Sequence, residues 1–126
     1  MTTTILIVDD YGAMRSLVRR ILAHRWPDVR FVESGTAEDA LARVERDVPD
    51  AVIMDVELPG MNGIDATREI AARHPACNVI VHTASDETWC ETEAQAAGAR
   101  CFVRKGDCEG LAAAASFACA ARACAA

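Results

Sequence analysis

Ala51-Val52-Ile53-Met54-Asp55-Val56-Glu57-Leu58-Pro59-Gly60-Met61-Asn62-Gly63 decides the fold. Its first four residues form an apolar run too short for a helix, the pattern of a strand buried on both faces of a parallel sheet. Asp55 ends the run, and Pro59-Gly60 and Asn62-Gly63 supply the turns that lead the chain into a following helix. The segment therefore reads as a strand, a tight loop and a helix, with a carboxylate at the strand's carboxyl end.

Outward from this unit the same alternation repeats, so that five strand–helix pairs can be read. The expected strands are Thr4–Val8, Val29–Glu33, Ala51–Met54, Asn78–His82 and Arg100–Arg104. The third and fourth are expected to be buried on both faces. The expected helices are Gly12–His24, Ala37–Asp47, Ile64–His74, Glu87–Ala97 and Cys108–Ala125. Thr36 with Asp39 resembles a capping box, and Asp107 is placed to cap the last helix. Pro27, Pro49 and Pro75 each follow a helix, where the missing N–H costs least. No linker, charge run or repeat divides the 126 residues, and one domain spanning residues 1–126 is expected.

Composition narrows the function classes. A hydrophobic fraction of 52%, 25% charged residues and a net charge of -6 suit a globular protein and disfavour a nucleic-acid surface. The run Ile5-Leu6-Ile7-Val8 stops at Asp9-Asp10, too short for a signal-peptide core or a membrane span. A cytoplasmic protein with no membrane or nucleic-acid partner is expected from this domain. The six cysteines lack CxxC spacing and nearby paired histidines, so reduced structural thiols are expected rather than a metal site.

In an open parallel α/β sheet, ligands bind beyond the carboxyl ends of the strands. There the first strand ends in Asp9-Asp10, the third in Asp55, the fourth in Thr83 and the fifth in Lys105. A 2-1-3-4-5 strand order makes these strands neighbours and brings three carboxylates, a hydroxyl and an ammonium together. Two carboxylates about 4 Å apart repel by roughly 4 kcal/mol at an effective dielectric near 20. A hard divalent cation with oxygen ligands offsets this, and Mg²⁺ is commonly held by one or two carboxylates with water and phosphate oxygens. With the cation bound, a carboxylate can attack phosphorus while metal, hydroxyl and ammonium stabilise the equatorial oxygens.

The ordered set Ile5-Leu6-Ile7-Val8-Asp9-Asp10, Val52-Ile53-Met54-Asp55 with Leu58-Pro59-Gly60-Met61-Asn62-Gly63, Val79-Ile80-Val81-His82-Thr83-Ala84, and Gly98-Ala99-Arg100-Cys101-Phe102-Val103-Arg104-Lys105 resembles the receiver domains of two-component response regulators. The resemblance covers nearly the whole chain. It implies a flavodoxin-like, doubly wound α/β fold with a five-stranded parallel sheet of order 2-1-3-4-5 and five flanking helices. It also implies Asp55 as the phosphorylated residue and a phosphohistidine on a sensor histidine kinase or phosphotransfer protein as donor. Asp10, Asp55 and the backbone carbonyl of Glu57 would ligate Mg²⁺, with Asp9 acting through water. Thr83 and Lys105 would grip the phosphoryl oxygens, and Phe102 stands where the family has its switch aromatic. The output surface implied is that of the fourth helix, fifth strand and fifth helix, available to a partner, to the protein's own effector domain or to a second copy as a homodimer.

Two positions depart from the commoner pattern: Gly106 follows Lys105 where many receivers have proline, and Glu57 adds a carboxylate two residues after Asp55. His82 reads as a core residue rather than a ligand. Trp26 and Trp89 read as packing residues, Trp89 being the better interface candidate of the two. The last helix is apolar nearly all round, which calls for a covered face. Two rivals fit the residues less well. In a flavodoxin-like cofactor-binding protein the charges of Asp9-Asp10 would repel the cofactor phosphate unless a metal intervened, and a dehalogenase-type hydrolase carries its two aspartates two residues apart after the first strand, whereas Asp55-Val56-Glu57 follows the third. The chain stops directly after the fifth helix, as expected for a stand-alone receiver. Gly63-Ile64-Asp65-Ala66-Thr67-Arg68-Glu69-Ile70 also looks like receivers joined to helix-turn-helix effectors, which keeps alive an N-terminal receiver of a DNA-binding transcriptional regulator cut at the domain edge.

Overall fold

A computed structural model of the chain describes residues 3–85 and 87–125, with side chains as far as Cys119. Its elements alternate along the chain: β1 (Thr4–Val8), α1 (Gly12–Arg25), β2 (Arg30–Ser34), α2 (Ala37–Arg46), β3 (Ala51–Met54), α3 (Gly63–Arg73), β4 (Asn78–Thr83), α4 (Thr88–Ala96), β5 (Cys101–Arg104) and α5 (Cys108–Ala125). All neighbouring strands pair parallel, in the order β2-β1-β3-β4-β5. Among the described residues, no helix is long and apolar enough to cross a membrane.

Side chains on a strand alternate between faces, and each central strand here is apolar at successive positions, so the sheet supports two cores. Leu6, Val8, Val52, Met54, Val79 and Val81 meet Val44 of α2, Ile64 and Ile70 of α3 and Ala94 of α4. Ile5, Ile7, Ala51, Ile53 and Ile80 meet Val18 and Leu22 of α1 and Leu111, Ala115 and Ala118 of α5. Every residue of β3 and β4 is buried, as the apolar runs imply. The chain steps one way from β1 to β2 and the other way from β3 to β5. The topological switch point, where such sheets bind ligands, therefore falls between β1 and β3.

Helix ends follow the local chemistry. Thr36 Oγ1 accepts the Asp39 N–H at 3.1 Å, but the Asp39 carboxylate turns to Ser34 Oγ and Arg43 Nε, so only half of the expected capping box forms. Asp107 Oδ1 accepts the Gly110 N–H at 2.9 Å and caps α5. α3 begins one residue earlier than its apolar pattern, because Asn62 Oδ1 accepts the Asp65 N–H and makes Gly63 the first helical residue. β2 is shifted by one residue, since Ser34 pairs with Val8 and its carbonyl accepts the Asp9 N–H. Trp26 is half-buried against the α1/α5 core. Trp89 does not pack: it is 55% exposed, and its indole N–H bonds the Glu87 carboxylate on the same surface. The described part of α5 buries Leu111, Ala112, Ala114, Ala115 and Ala118 and leaves Phe117 exposed, so its apolar composition serves one face only as far as Cys119.

Gly63 is required by a close approach. A Cβ at this position would lie 1.8 Å from the Asp55 carbonyl oxygen and 3.0 Å from Met54 Cγ. Gly63→Ala should therefore force α3 away from the end of β3 and lower stability by roughly 3 kcal/mol, read as a shift of the urea midpoint.

His82 of β4 is buried beside Met14, Val18 and Ile21 of α1 and Asp107, Cys108 and Leu111 at the start of α5. Burial holds its pKa down at about 4 from an ordinary 6.5; the Lys105 charge pushes the same way, and Asp9 opposes both. The unfolded chain takes up this proton near the ordinary value and the native chain does not. Stability from the neutral imidazole is thus full above that value and is lost as pH falls toward about 4. Between about pH 7 and about pH 4.5 this group alone should account for a loss of roughly 2–3 kcal/mol. In urea unfolding experiments His82→Leu should lose less stability than the unaltered protein on going from about pH 7 to about pH 4.5, and an equal change in both would clear the imidazole of the effect.

Candidate functional site

The ladder hydrogen bonds continue past the strand ends and fix where the polar side chains start. Asp9 N donates to Ser34 O at 3.1 Å, Asp55 N to Val8 O at 2.9 Å, and Lys105 N to Thr83 O at 2.8 Å. These bonds hold the backbones of Asp9, Asp55 and Lys105 at the carboxyl edge of the sheet. The side chains then meet in one place. Lys105 Nζ lies 2.8 Å from Asp9 Oδ2 and 3.3 Å from Asp55 Oδ2. Asp9, Asp10 and Asp55 each present a carboxylate oxygen within 4.8 Å of the others.

Asp9 and Asp55 are buried, whereas Asp10 is exposed. Asp9 Oδ1 accepts the Tyr11 N–H at 2.9 Å, which together with Lys105 engages both of its carboxylate oxygens. Burial raises the Asp55 pKa from 3.8 to about 6; the Lys105 ammonium opposes the shift, Asp9 adds to it, and a bond from the Glu57 backbone opposes it again. Lys105 loses solvation too, but its hydrogen bond to Asp9 and the charges of Asp55 and Asp9 outweigh that loss and lift its pKa above the ordinary lysine value. One ammonium among three carboxylates leaves two formal negative charges. At separations up to 4.8 Å, each carboxylate pair repels by about 3–4 kcal/mol at an effective dielectric near 20. The donors are all hard oxygens, and the Asp10 carboxylate makes no hydrogen bond or ion pair among the described residues. That set fits a hard divalent cation.

The other residues expected at the site take different positions. Thr83 is buried at the end of β4, and its Oγ1 accepts the Ser85 N–H at 3.2 Å instead of bonding the carboxylates. Phe102 is half-buried on β5 and packs against the core beneath α2, α3 and α4. Glu57 has an exposed side chain. The Lys105–Gly106 peptide is trans, and Gly106 has a φ of 100°, a conformation that suits glycine.

Two supports of the site have no local signal in the sequence. Arg15 Nη1 donates to the Asp9 carbonyl at 2.7 Å while its Nε contacts Glu33 at 2.9 Å. Glu38 of α2 accepts the Met61 N–H at 3.4 Å and so braces the loop after Asp55. Arg15 and Glu33 are 18 positions apart and Glu38 and Met61 are 23 apart, and nothing in the spacing foretells either contact.

Comparison with known proteins identifies the family. The family of response regulator receiver domains matches residues 5–115. The chain is 35% identical to the transcriptional regulatory protein DegU of Brevibacillus brevis over 102 residues, covering 80% of this chain and 43% of that protein. It is 32% identical over 102 residues to the response regulator GacA of Pseudomonas viridiflava, covering 81% and 48%. The chain thus spans about half the length of the curated relatives it matches. A LuxR-family two-component response regulator from Aurantimonas sp. SI85-9A1 superposes with a TM-score of 0.86 at 34% identity, covering 95% of this chain and 86% of that one. With its 2-1-3-4-5 parallel sheet and an acidic cluster at the switch point, the chain belongs to the receiver-domain family of two-component response regulators.

Proposed function

We propose that the chain, acting as one receiver unit over residues 1–126, takes a phosphoryl group onto Asp55 from a phosphohistidine and relays its presence to an output partner. The observation that carries this reading is the ammonium of Lys105 in contact with both Asp9 and Asp55, beside a further carboxylate. Asp55 would be the nucleophile: one of its oxygens bonds to phosphorus as the P–N bond to the donor imidazole breaks, and the imidazole leaves with a proton. Its raised pKa of about 6 still leaves it largely ionised at neutral pH. Lys105 is positioned to exchange its contact with Asp55 for a phosphoryl oxygen. Thr83, whose hydroxyl oxygen accepts the Ser85 N–H, would donate its own O–H to another.

Asp10, Asp55 and the backbone carbonyl of Glu57 would hold Mg²⁺, with Asp9 contributing through water. When bound, the ion neutralises the clustered carboxylates and the charge on the transferred group. The donor would be a sensor histidine kinase or a phosphotransfer protein in the cytoplasm. Engagement of Thr83 by the phosphoryl group would vacate space that Phe102 can enter, altering the α4–β5–α5 surface. Trp89 and Phe117, each more than half exposed, give α4 and α5 apolar contacts for a partner, an effector domain or a second copy. One version of this reading has the receiver controlling a DNA-binding transcriptional regulator, and the name of one relative, a transcriptional regulatory protein, supports the transcriptional part of it.

Three outcomes test the proposal. Asp55→Asn, nearly isosteric, should abolish a hydroxylamine-sensitive phosphoryl label while leaving the circular dichroism spectrum unchanged; full labelling would move the acceptor elsewhere. Excess chelator should suppress labelling of the unaltered protein, and equal labelling would remove the metal from the scheme. Amide exchange across residues 84–106 should change when a phosphoryl mimic and Mg²⁺ occupy Asp55, and an unchanged pattern would reduce Phe102 to a core residue.

A further inference from the structure

Arg15 lies in the first turn of α1 and reaches back to the loop that carries the acidic pair. Its Nη1 donates to the Asp9 carbonyl oxygen at 2.7 Å, and its Nε lies 2.9 Å from Glu33 Oε1. The side chain is only 24% exposed, and its guanidinium lies near Gly12, the first residue of α1, and Gly35, in the loop after β2. Glu33 belongs to β2 and pairs in register with Ile7 of β1, so the far end of this brace is part of the sheet. The second Glu33 oxygen is held by Arg19 at 2.9 Å.

The bonded carbonyl belongs to the planar unit that joins Asp9 to Asp10. Holding its oxygen fixes the rotation of that plane, and with it the direction in which Asp10 projects. Asp9 has other anchors: its N–H bonds Ser34, and its carboxylate accepts from Tyr11 N and Lys105. Asp10 has none of its own among the described residues, although its oxygen lies within 4.8 Å of two other carboxylates. Like-charge repulsion would swing an untethered exposed side chain outward into water, so the held peptide plane is what keeps Asp10 facing the cluster.

We infer that Arg15 is a positioning residue for the cation site: it ties the Asp9–Asp10 peptide to β2 through Glu33 and thereby aims the Asp10 carboxylate at Asp55. The inference rests on the divalent-cation site proposed above. Geometry and charge act in opposite directions here. A guanidinium near a cation site lowers affinity by Coulomb repulsion, so its removal would tighten binding if charge dominated and loosen it if positioning dominates.

The experiment is calorimetric titration of Mg²⁺ alone into the full chain, for the unaltered protein, Arg15→Met, Arg15→Lys and Asp10→Asn. Arg15→Met should raise the Mg²⁺ Kd about tenfold, within the range found when residues that orient metal ligands are removed. Its urea midpoint without Mg²⁺ should stay close to that of the unaltered protein. Arg15→Lys should fall between the two, because lysine can reach one acceptor but cannot span Asp9 and Glu33 with a planar fork. Binding by Arg15→Met as tight as in the unaltered protein, or tighter, overturns the inference. Should that variant not fold, an Arg15→Lys affinity equal to the unaltered one does the same. If the unaltered protein binds no Mg²⁺, or Asp10→Asn leaves the affinity unchanged, the cation-site reading falls and takes this inference with it. A weakened Asp10→Asn beside a normal Arg15→Met sinks the role of Arg15 alone.

Discussion

Lys105 brings a single ammonium to two carboxylates that the sheet has already buried, and the arrangement at the carboxyl edge depends on that contact. Asp9 and Asp55 follow adjacent strands, and the ladder bond from Asp55 N to Val8 O leaves their backbones little freedom to separate. Their repulsion must be answered locally, and the lysine answers part of it. Burial raises the Asp55 pKa and the Asp9 charge adds to that shift, while three carboxylates beside one ammonium carry two formal negative charges. On the function proposed above, such a site would accept a cation and respond when a phosphoryl group arrives with one.

Holding that charge in place takes a rigid frame. The two cores on opposite faces of the sheet fix the strands, and the strands fix the first atoms of each functional side chain. The loops have their own braces: Arg15 with Glu33 behind the acidic pair, Glu38 against Met61, and the bare backbone of Gly63 pressed on the Asp55 carbonyl. The Thr83 backbone is held by the ladder bond from Lys105 N, and its side-chain oxygen accepts the Ser85 N–H at 3.2 Å in the loop that leads to α4.

Much of this was legible in the chain because it depends on local pattern. Apolar runs such as Ala51–Met54 can be satisfied only by a strand covered on both faces, and with helical segments between them a doubly wound parallel sheet follows. Asp9, Asp10, Asp55 and Lys105 could be gathered in advance because parallel strands all point their carboxyl ends the same way, so residues just past each strand must share one edge. Boundaries were less secure. Asn62 capped α3 one residue early, and β2 slid to bring Ser34 opposite Val8, because both depend on partners beyond the repeating pattern.

By itself, then, the sequence determined the element order, the sheet and the identity of the residues at its carboxyl edge, since periodicity and strand ends are properties of neighbouring positions. Tertiary structure alone decided how those residues are held. The Asp39 carboxylate left its expected cap for Ser34 and Arg43, the Thr83 hydroxyl turned to Ser85, and Trp89 stayed at the surface. The Arg15–Glu33 brace joins residues 18 positions apart. Such choices are competitions among alternative hydrogen-bond and packing partners, and only the folded chain brings the competitors within reach of one another.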